Sequence, residues 1–359
     1  MITVTGTPHT MGKSVGKRLK PRIQVLVQEQ LKKLREWGAD YAGHPGDTRT
    51  LRADLDSLHR RLAPAADAMA RYEPPMWMEL KAVAEVCDLE FQDLLLVLAF
   101  QDLLSLLRAP IPACNSSTLI LPSGASSLRA PCQVFEWFLP TDLTPYVVIL
   151  RRIPDHGPST LTLTLGGLAP VAGISEANLA VSSNDLRVTD AQAHGIPALF
   201  QLCGLLDAPT FEDARARVRA APRMGGCCFH VLDRDGKRVS AEASGERTAF
   251  LPAPQEDICR VHTNHALDHG IAAVCATQVD PTSRKRLTQL AALARRLSLA
   301  DLQQIDASLA PDELGIDAFF DDPDTYPQRV ALVAVLDPRH RAIHLHRGPA
   351  PSFLETATL

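Results

Sequence analysis

The chain has no dominant charge, no long apolar run and no cysteine framework, and each absence removes a class of function. Its 359 residues carry 37 Lys and Arg against 41 Asp and Glu, a net charge of −4. No basic stripe interleaved with aromatics is present, so nucleic acid is not an expected partner. The most apolar run, Leu94 to Phe100, is too short to cross a bilayer, and Met1-Ile2-Thr3-Val4-Thr5-Gly6 has no charged region followed by an apolar one. Neither a membrane nor an export route is expected. The eight cysteines, Cys87, Cys114, Cys132, Cys203, Cys227, Cys228, Cys259 and Cys275, are scattered through a large chain, unlike a disulfide-stapled secreted domain. A reducing compartment fits, and the terminal Thr356-Ala357-Thr358-Leu359 is not a peroxisomal tripeptide, so the expected location is cytoplasmic.

Cofactor signatures are missing too. His262, His265 and His269 share one short stretch and Cys227-Cys228 is a vicinal pair, but there is no Cys-x-x-Cys and no Glu to complete a His-Glu-x-x-His helix. Gly166-Gly167 and Gly225-Gly226 lack a phosphate-loop lysine and a dinucleotide fingerprint, and read as turns. The acidic stretch from Asp317 to Asp324 lacks the spaced acids and central Gly of a calcium loop. No metal and no bound cofactor are expected.

What is present is a 46% hydrophobic composition, ample for a sizeable core, and a change of pattern near residue 114. Before it the chain is helical: Ile23, Val25, Leu26 and Leu31 open one segment, Leu51, Leu55, Leu58 and Leu62 recur at helical steps in the next, and Trp77 to Leu107 forms a third. Within the third, Glu90 to Leu107 reads as one helix buried on most of its circumference and ended by Pro110 and Pro112. After it come strand-like runs such as Tyr146 to Leu150 and Leu161 to Leu165. Helices are expected at Ile196–Leu206, Phe211–Ala220, Arg284–Leu297 and Leu299–Leu309. Hairpins are expected around Asp233-Arg234-Asp235-Gly236 and Asp337-Pro338-Arg339-His340. Antiparallel hairpins separated by helices, with no repeat and no regular strand-helix alternation, indicate an α+β protein.

Cys114 stands at the junction, within Pro112-Ala113-Cys114-Asn115-Ser116-Ser117. A thiol there can act as a nucleophile, and cleavage of the preceding bond would give it an α-amine of its own as base. Two further landmarks follow, Gln133-Val134-Phe135-Glu136-Trp137 and Val261-His262-Thr263-Asn264-His265. With Gly6-Thr7-Pro8 and Gly12, with Thr164, Gly167, Gly173 and Asn184, with Gly195-Ile196-Pro197 and with Ser283-Arg284, they make the chain resemble the acyl-coenzyme A:6-aminopenicillanic acid acyltransferase family. Members of that family are N-terminal-nucleophile hydrolases with a cysteine nucleophile.

The resemblance implies a four-layer αββα sandwich with antiparallel sheets, made of a helical segment 1–113 and a catalytic segment 114–359 that together form one domain. It implies Cys114 as nucleophile, self-cleavage between Ala113 and Cys114, and Asn264 as oxyanion donor. Glu136 would orient the nucleophile's amine or the loop around it where the family has Asp, Ser244 would contribute to processing or substrate positioning, and Arg329 would be a substrate-binding arginine. Ala113 replaces the family's Gly, which relaxes the backbone more freely. The implied partners are a small amide or acyl donor and the chain's own N-terminal fragment, retained as an αβ heterodimer. Acyl-coenzyme A would enter as substrate rather than as bound cofactor. Two classes stay open: an enzyme passing an acyl group through a Cys114 thioester to water or an amine, and a weakened member acting as a binding or scaffold protein.

Overall fold

In the computed structural model the described residues are 1–40, 55–108, 115–121, 131–252, 259–276, 281–299, 329–347 and 352–359. The expected helix Leu299–Leu309 and the acidic stretch Asp317 to Asp324 therefore fall outside them, apart from Leu299 itself.

Two sheets stack face to face. The first has the order β1-β4-β5-β6-β7-β8-β9-β10, from Ile2–Gly6, Val147–Pro154, Thr160–Leu165, Pro170–Ser175, Leu179–Leu186, Gly226–Asp233, Arg238–Ala243 and Thr248–Phe250. The second has the order β11-β2-β3-β12-β13-β14, from Arg260–His262, Asn115–Leu121, Cys132–Pro140, Arg329–Asp337, Ala342–Arg347 and Ser352–Thr358. The sheets meet where β2 and β3 cross β7 and where β12 and β13 cross β6. Helices α6 (Ala198–Leu206) and α7 (Phe211–Ala220) cover the outer face of the first sheet, and α9 (Pro281–Leu299) covers β11 and β2 of the second. These are the expected α, β, β and α layers. No helix among the described residues is long and apolar enough to cross a membrane.

The N-terminal helices α1 (Pro8–Asp40), α2 (Leu55–Tyr72), α3 (Pro74–Cys87), α4 (Phe91–Leu98) and α5 (Phe100–Leu106) share one apolar core with the strands. In α1 the Thr7 hydroxyl accepts the Thr10 N–H at 3.2 Å, a side-chain cap. Met11, Val15, Leu19 and Ile23 then recur every four residues and are all buried. At the β5–β6 turn Gly166 and Gly167 take φ of 67° and 73°, and a Cβ on Gly167 would lie 2.5 Å from Leu19.

Both expected hairpins form, β8 with β9 and β12 with β13. Asp233 Oδ1 accepts the N–H groups of Asp235 and Lys237 in the first turn, and Asp337 Oδ1 accepts those of Arg339 and His340 in the second. One expectation is corrected. The single helix from Glu90 to Leu107 is two, α4 and α5, divided at Ala99, and Asp88 at φ 54° separates α3 from α4. The mainly helical N-terminal segment also carries one strand, β1, which pairs in parallel with β4. A parallel neighbour requires a long crossover, and here the described residues between them include α1 to α5, β2 and β3.

Candidate active site

Strands β7, β8 and β9 bury both of their faces, so their alternation separates two interiors. Leu179, Val181, Phe229, Val231 and Ala241 pack under α6 and α7. Their neighbours Ser182, Asn184, His230, Ser240 and Glu242 face the second sheet and are fully buried. The register aligns Asn184 with Cys228 and Cys228 with Glu242, so polar side chains form rows across the sheet. Opposite them lie Ser116 and Thr118 of β2, Gln133 of β3 and His262 of β11. Thr118 Oγ1 lies 3.3 Å from Ser182 Oγ, and Gln133 Nε2 donates to the same hydroxyl.

The start of β2 is the focus of this layer. The Ser116 N–H donates to Asn264 Oδ1 at 2.8 Å. Asn264 Nδ2 donates to the Asp185 carbonyl at 3.0 Å and reaches Ser116 Oγ at 3.4 Å. Arg286, from the first turns of α9, donates through Nη1 to Ser116 O and Ser117 Oγ, each at 2.8 Å, and through Nη2 to Asn264 Oδ1 at 3.1 Å. From the other sheet, Asn184 Nδ2 donates to Ser116 Oγ at 2.8 Å.

The segment carrying Asn264 is held on its far side by Ser283. Ser283 Oγ accepts the Asn264 N–H at 2.9 Å, its carbonyl accepts from Thr263 Oγ1 at 3.0 Å, and its hydroxyl lies 2.8 Å from His265 Nδ1. Burial and the nearby Arg284 charge push the pKa of His265 down to about 4, so this imidazole is neutral at physiological pH.

Of the residues predicted from sequence, Asn264 is brought to this centre. Glu136 is buried on β3, directly opposite Ser117, whose hydroxyl accepts from Arg286. Ser244 closes a turn after β9: it donates to Asp190 Oδ2 at 2.7 Å and accepts the Arg247 N–H at 3.1 Å. The register puts the backbone of Arg329 opposite Pro140, at the same end of the sheet as Asn115 and one strand away from it. Cys114 and Ala113 lie outside the described residues, and β2 opens at Asn115, the residue after the thiol.

Sequence reasoning did not single out Arg286. The signal was close by, since Ser283-Arg284 was read as opening a helix and Arg286 follows two residues later. His230, Ser240 and Glu242 were also passed over. A polar residue at every second position of an otherwise apolar strand was the sign available.

Cys228, His230 and His262 are ligand types of a metal centre and lie within 4.8 Å of one another. Each of the four imidazole nitrogens, however, already has a hydrogen-bond partner in Asn184, Ser240 or Glu242. The donor set is that of a closed polar network. A cavity of about 690 Å³ lies elsewhere, beside α3 and the β4 end, lined by Tyr72, Glu73, Glu79, Arg152, Asp207 and Arg217 among others. None of the β2 or β11 residues lines it.

Residues 162–316 match the family model described as acyl-coenzyme A:6-aminopenicillanic acid acyl-transferase. The resemblance read from the sequence is borne out over that segment, which contains Asn184, Ser244, Asn264 and Arg286 and begins after Cys114 and Glu136. None of the curated proteins matches the chain. Among solved structures, two variants of conjugated bile acid hydrolase from Clostridium perfringens are similar at 11% and 12% identity. They cover 68% of this chain and 96% of theirs, with TM-scores of 0.42 and 0.43. Penicillin V acylase from Agrobacterium tumefaciens is similar at 14% identity, over 66% of this chain and 76% of its own, with a TM-score of 0.31.

Proposed function

We propose that the chain is a cysteine-nucleophile enzyme that cleaves or forms linear amides through a thioester on Cys114. The observation that carries this reading is the convergence of Asn264 and Arg286 on Ser116, two residues beyond Cys114 in a strand that starts at Asn115. An acyl-transfer centre needs a nucleophile beside donors fixed before charge develops, and this strand start is held by three side chains from separate elements.

In processing, the Cys114 thiol attacks the Ala113 carbonyl carbon, the amide C–N bond breaks, and the resulting thioester is hydrolysed. This leaves a carboxylate on Ala113 and a free α-amine on Cys114. In turnover that amine takes the thiol proton and the sulfur attacks the substrate's amide carbon. Asn264 Nδ2 has one hydrogen committed to the Asp185 carbonyl, while the other spans 3.4 Å to Ser116 Oγ. That second hydrogen is the one suited to the oxyanion. Collapse expels the amine with a proton returned from the α-ammonium, and water or an acceptor amine then releases the acyl group. Arg286 and Glu136 fit roles at the strand start, and Arg329, whose backbone lies at the same sheet end, is assigned to substrate binding from the resemblance alone.

Intact mass of the purified protein, beside a Cys114→Ala variant, tests the reading. Two fragments whose masses sum to the chain plus one water, absent from the variant, are expected. One full-length species in both would refute self-processing. Acyl product that forms from an N-acyl amide only when an acceptor amine is added would assign transfer over hydrolysis.

A further inference from the structure

The polar layer contains a hydrogen-bonded chain that ends on the nucleophile's strand and starts at a buried carboxylate. Ser116 Oγ accepts from Asn184 Nδ2, and Asn184 Oδ1 faces His230 Nε2 at 2.8 Å and His262 Nδ1 at 3.2 Å. His262 Nε2 lies 2.9 Å from Glu242 Oε1. Glu242 is held in turn by the N–H groups of Leu267 at 2.6 Å and Asp268 at 2.9 Å. Asn184, His230, Glu242 and His262 are all fully buried.

Proton bookkeeping gives the chain a direction. Asn184 Oδ1 has no hydrogen, so both imidazole nitrogens facing it donate. His230 Nδ1 then accepts from the Ser240 hydroxyl 2.8 Å away, which leaves His230 neutral. Burial and the His262 charge push the pKa of His230 well down, which agrees. His262, donating from Nδ1, also faces a carboxylate that already accepts two backbone N–H groups. Each side chain in the series is thus fixed by the one before it, and the last fixes Ser116.

Resting on the proposed Cys114 chemistry, we propose that Glu242 and His262 are positioning residues: they lock the Asn184 amide against Ser116 Oγ and thereby set the pose of the strand start that follows Cys114. Neither touches the reacting atoms. Their effect reaches the chemistry through a chain of contacts between the two sheets, where a displacement of about 1 Å is enough to cost rate.

The test compares full-length wild type, Glu242→Gln, Glu242→Asp and Cys114→Ala in two assays. The first follows 4-nitroaniline release from a panel of N-acyl 4-nitroanilides between pH 6 and 9. The second follows the rate of Cys114 alkylation by iodoacetamide over the same range, read by peptide mass spectrometry. Glu242→Gln is expected to lower kcat by about tenfold, leave KM within about twofold, and shift the pH dependence of both assays. Glu242→Asp keeps the charge and should restore part of the loss. If Glu242→Gln does not fold, His262→Gln, which retains a donor near the Nε2 position, carries the same comparison. Wild-type kcat, pH profile and alkylation rate in the variant, whatever happens to its Tm, would overturn the proposal. If wild type and Cys114→Ala release equally little nitroaniline, the amide-cleaving reading fails, and the alkylation rates alone decide the positioning role.

Discussion

Two regions of this molecule bury ionisable side chains, and they do so in opposite ways. Between the sheets, the imidazoles of His230 and His262, the amides of Asn184 and Asn264 and the Arg286 guanidinium are linked by hydrogen bonds into one network around Ser116. Beside the cavity, two acids sit close together: burial, then the neighbouring Asp207 carboxylate, pushes Glu73 up to about 8, and Asp207 is raised by burial as well. Burial raises Glu79 too, although Arg152 lies 2.7 Å away and counters the shift. Displaced titration is a common mark of active sites, and here both regions show it, since His230 and His265 are pushed down between the sheets. Among the described residues, the cavity lining holds no cysteine or serine, and its guanidiniums, Arg152 and Arg217, serve the buried acids. Organised hydrogen bonding around Ser116 supports the proposed site, whereas the raised acids record the cost of burying charge.

The sharpest way to break this comparison is Asn264→Ala. If the interior network is catalytic, kcat should fall about 10²- to 10³-fold, as for loss of an oxyanion donor. The unpaired Ser116 N–H should lower stability by only about 1–3 kcal/mol. Turnover of an N-acyl amide together with urea unfolding checks both. A variant that loses stability but keeps its rate would reduce the network to a structural device.

A smaller effect is expected at the cavity, and it depends on pH. Glu73 binds its proton more tightly folded, near 8, than unfolded, near 4.5. The associated stability is complete below pH 4.5 and is lost as pH rises toward 8, with a limiting slope of about 1.4 kcal/mol per pH unit. Glu73→Gln removes that titration. Between pH 6 and 8 it should gain on wild type by on the order of 1–2 kcal/mol in urea unfolding, with unchanged turnover. Equal pH slopes in the two proteins would contradict the assignment.

How much of this was legible in the sequence depended on whether the deciding contacts were local. Helix α7 and both hairpins follow from short-range period and turn chemistry, and their bounds agree closely with the reading. Strand β1 was hidden because its partner Val147–Pro154 lies far along the chain, and five residues carry no period of their own. The breaks at Asp88 and Ala99 were hidden by leucines that continue on both sides. At the site, Asn264 was visible through a motif. Arg286 and Glu242 matter only because α9 and β9 fold against β2 and β11, a relation that no local pattern encodes.

The smallest predicted effect separates fold stability from charge on a single helix. Thr210 caps α7: its Oγ1 accepts the Asp213 N–H at 3.1 Å and donates to Asp213 Oδ2 at 2.5 Å. Arg217 on the same helix lines the cavity, lowers the Glu73 pKa through its charge, and donates to the Gly204 carbonyl. Thr210→Ala loses the cap and should destabilise the protein by about 1 kcal/mol. Because the variant changes no titratable group, its loss should be the same at pH 6 and pH 8, parallel to wild type, whereas Glu73→Gln should diverge from it. A Thr210→Ala loss that grows with pH would mean that α7 moves when its cap is removed and carries Arg217 away from the acids. The cavity would then be a place where helix position and charge are coupled, and the contrast with the fixed network between the sheets would be one of mobility as well as of hydrogen bonding.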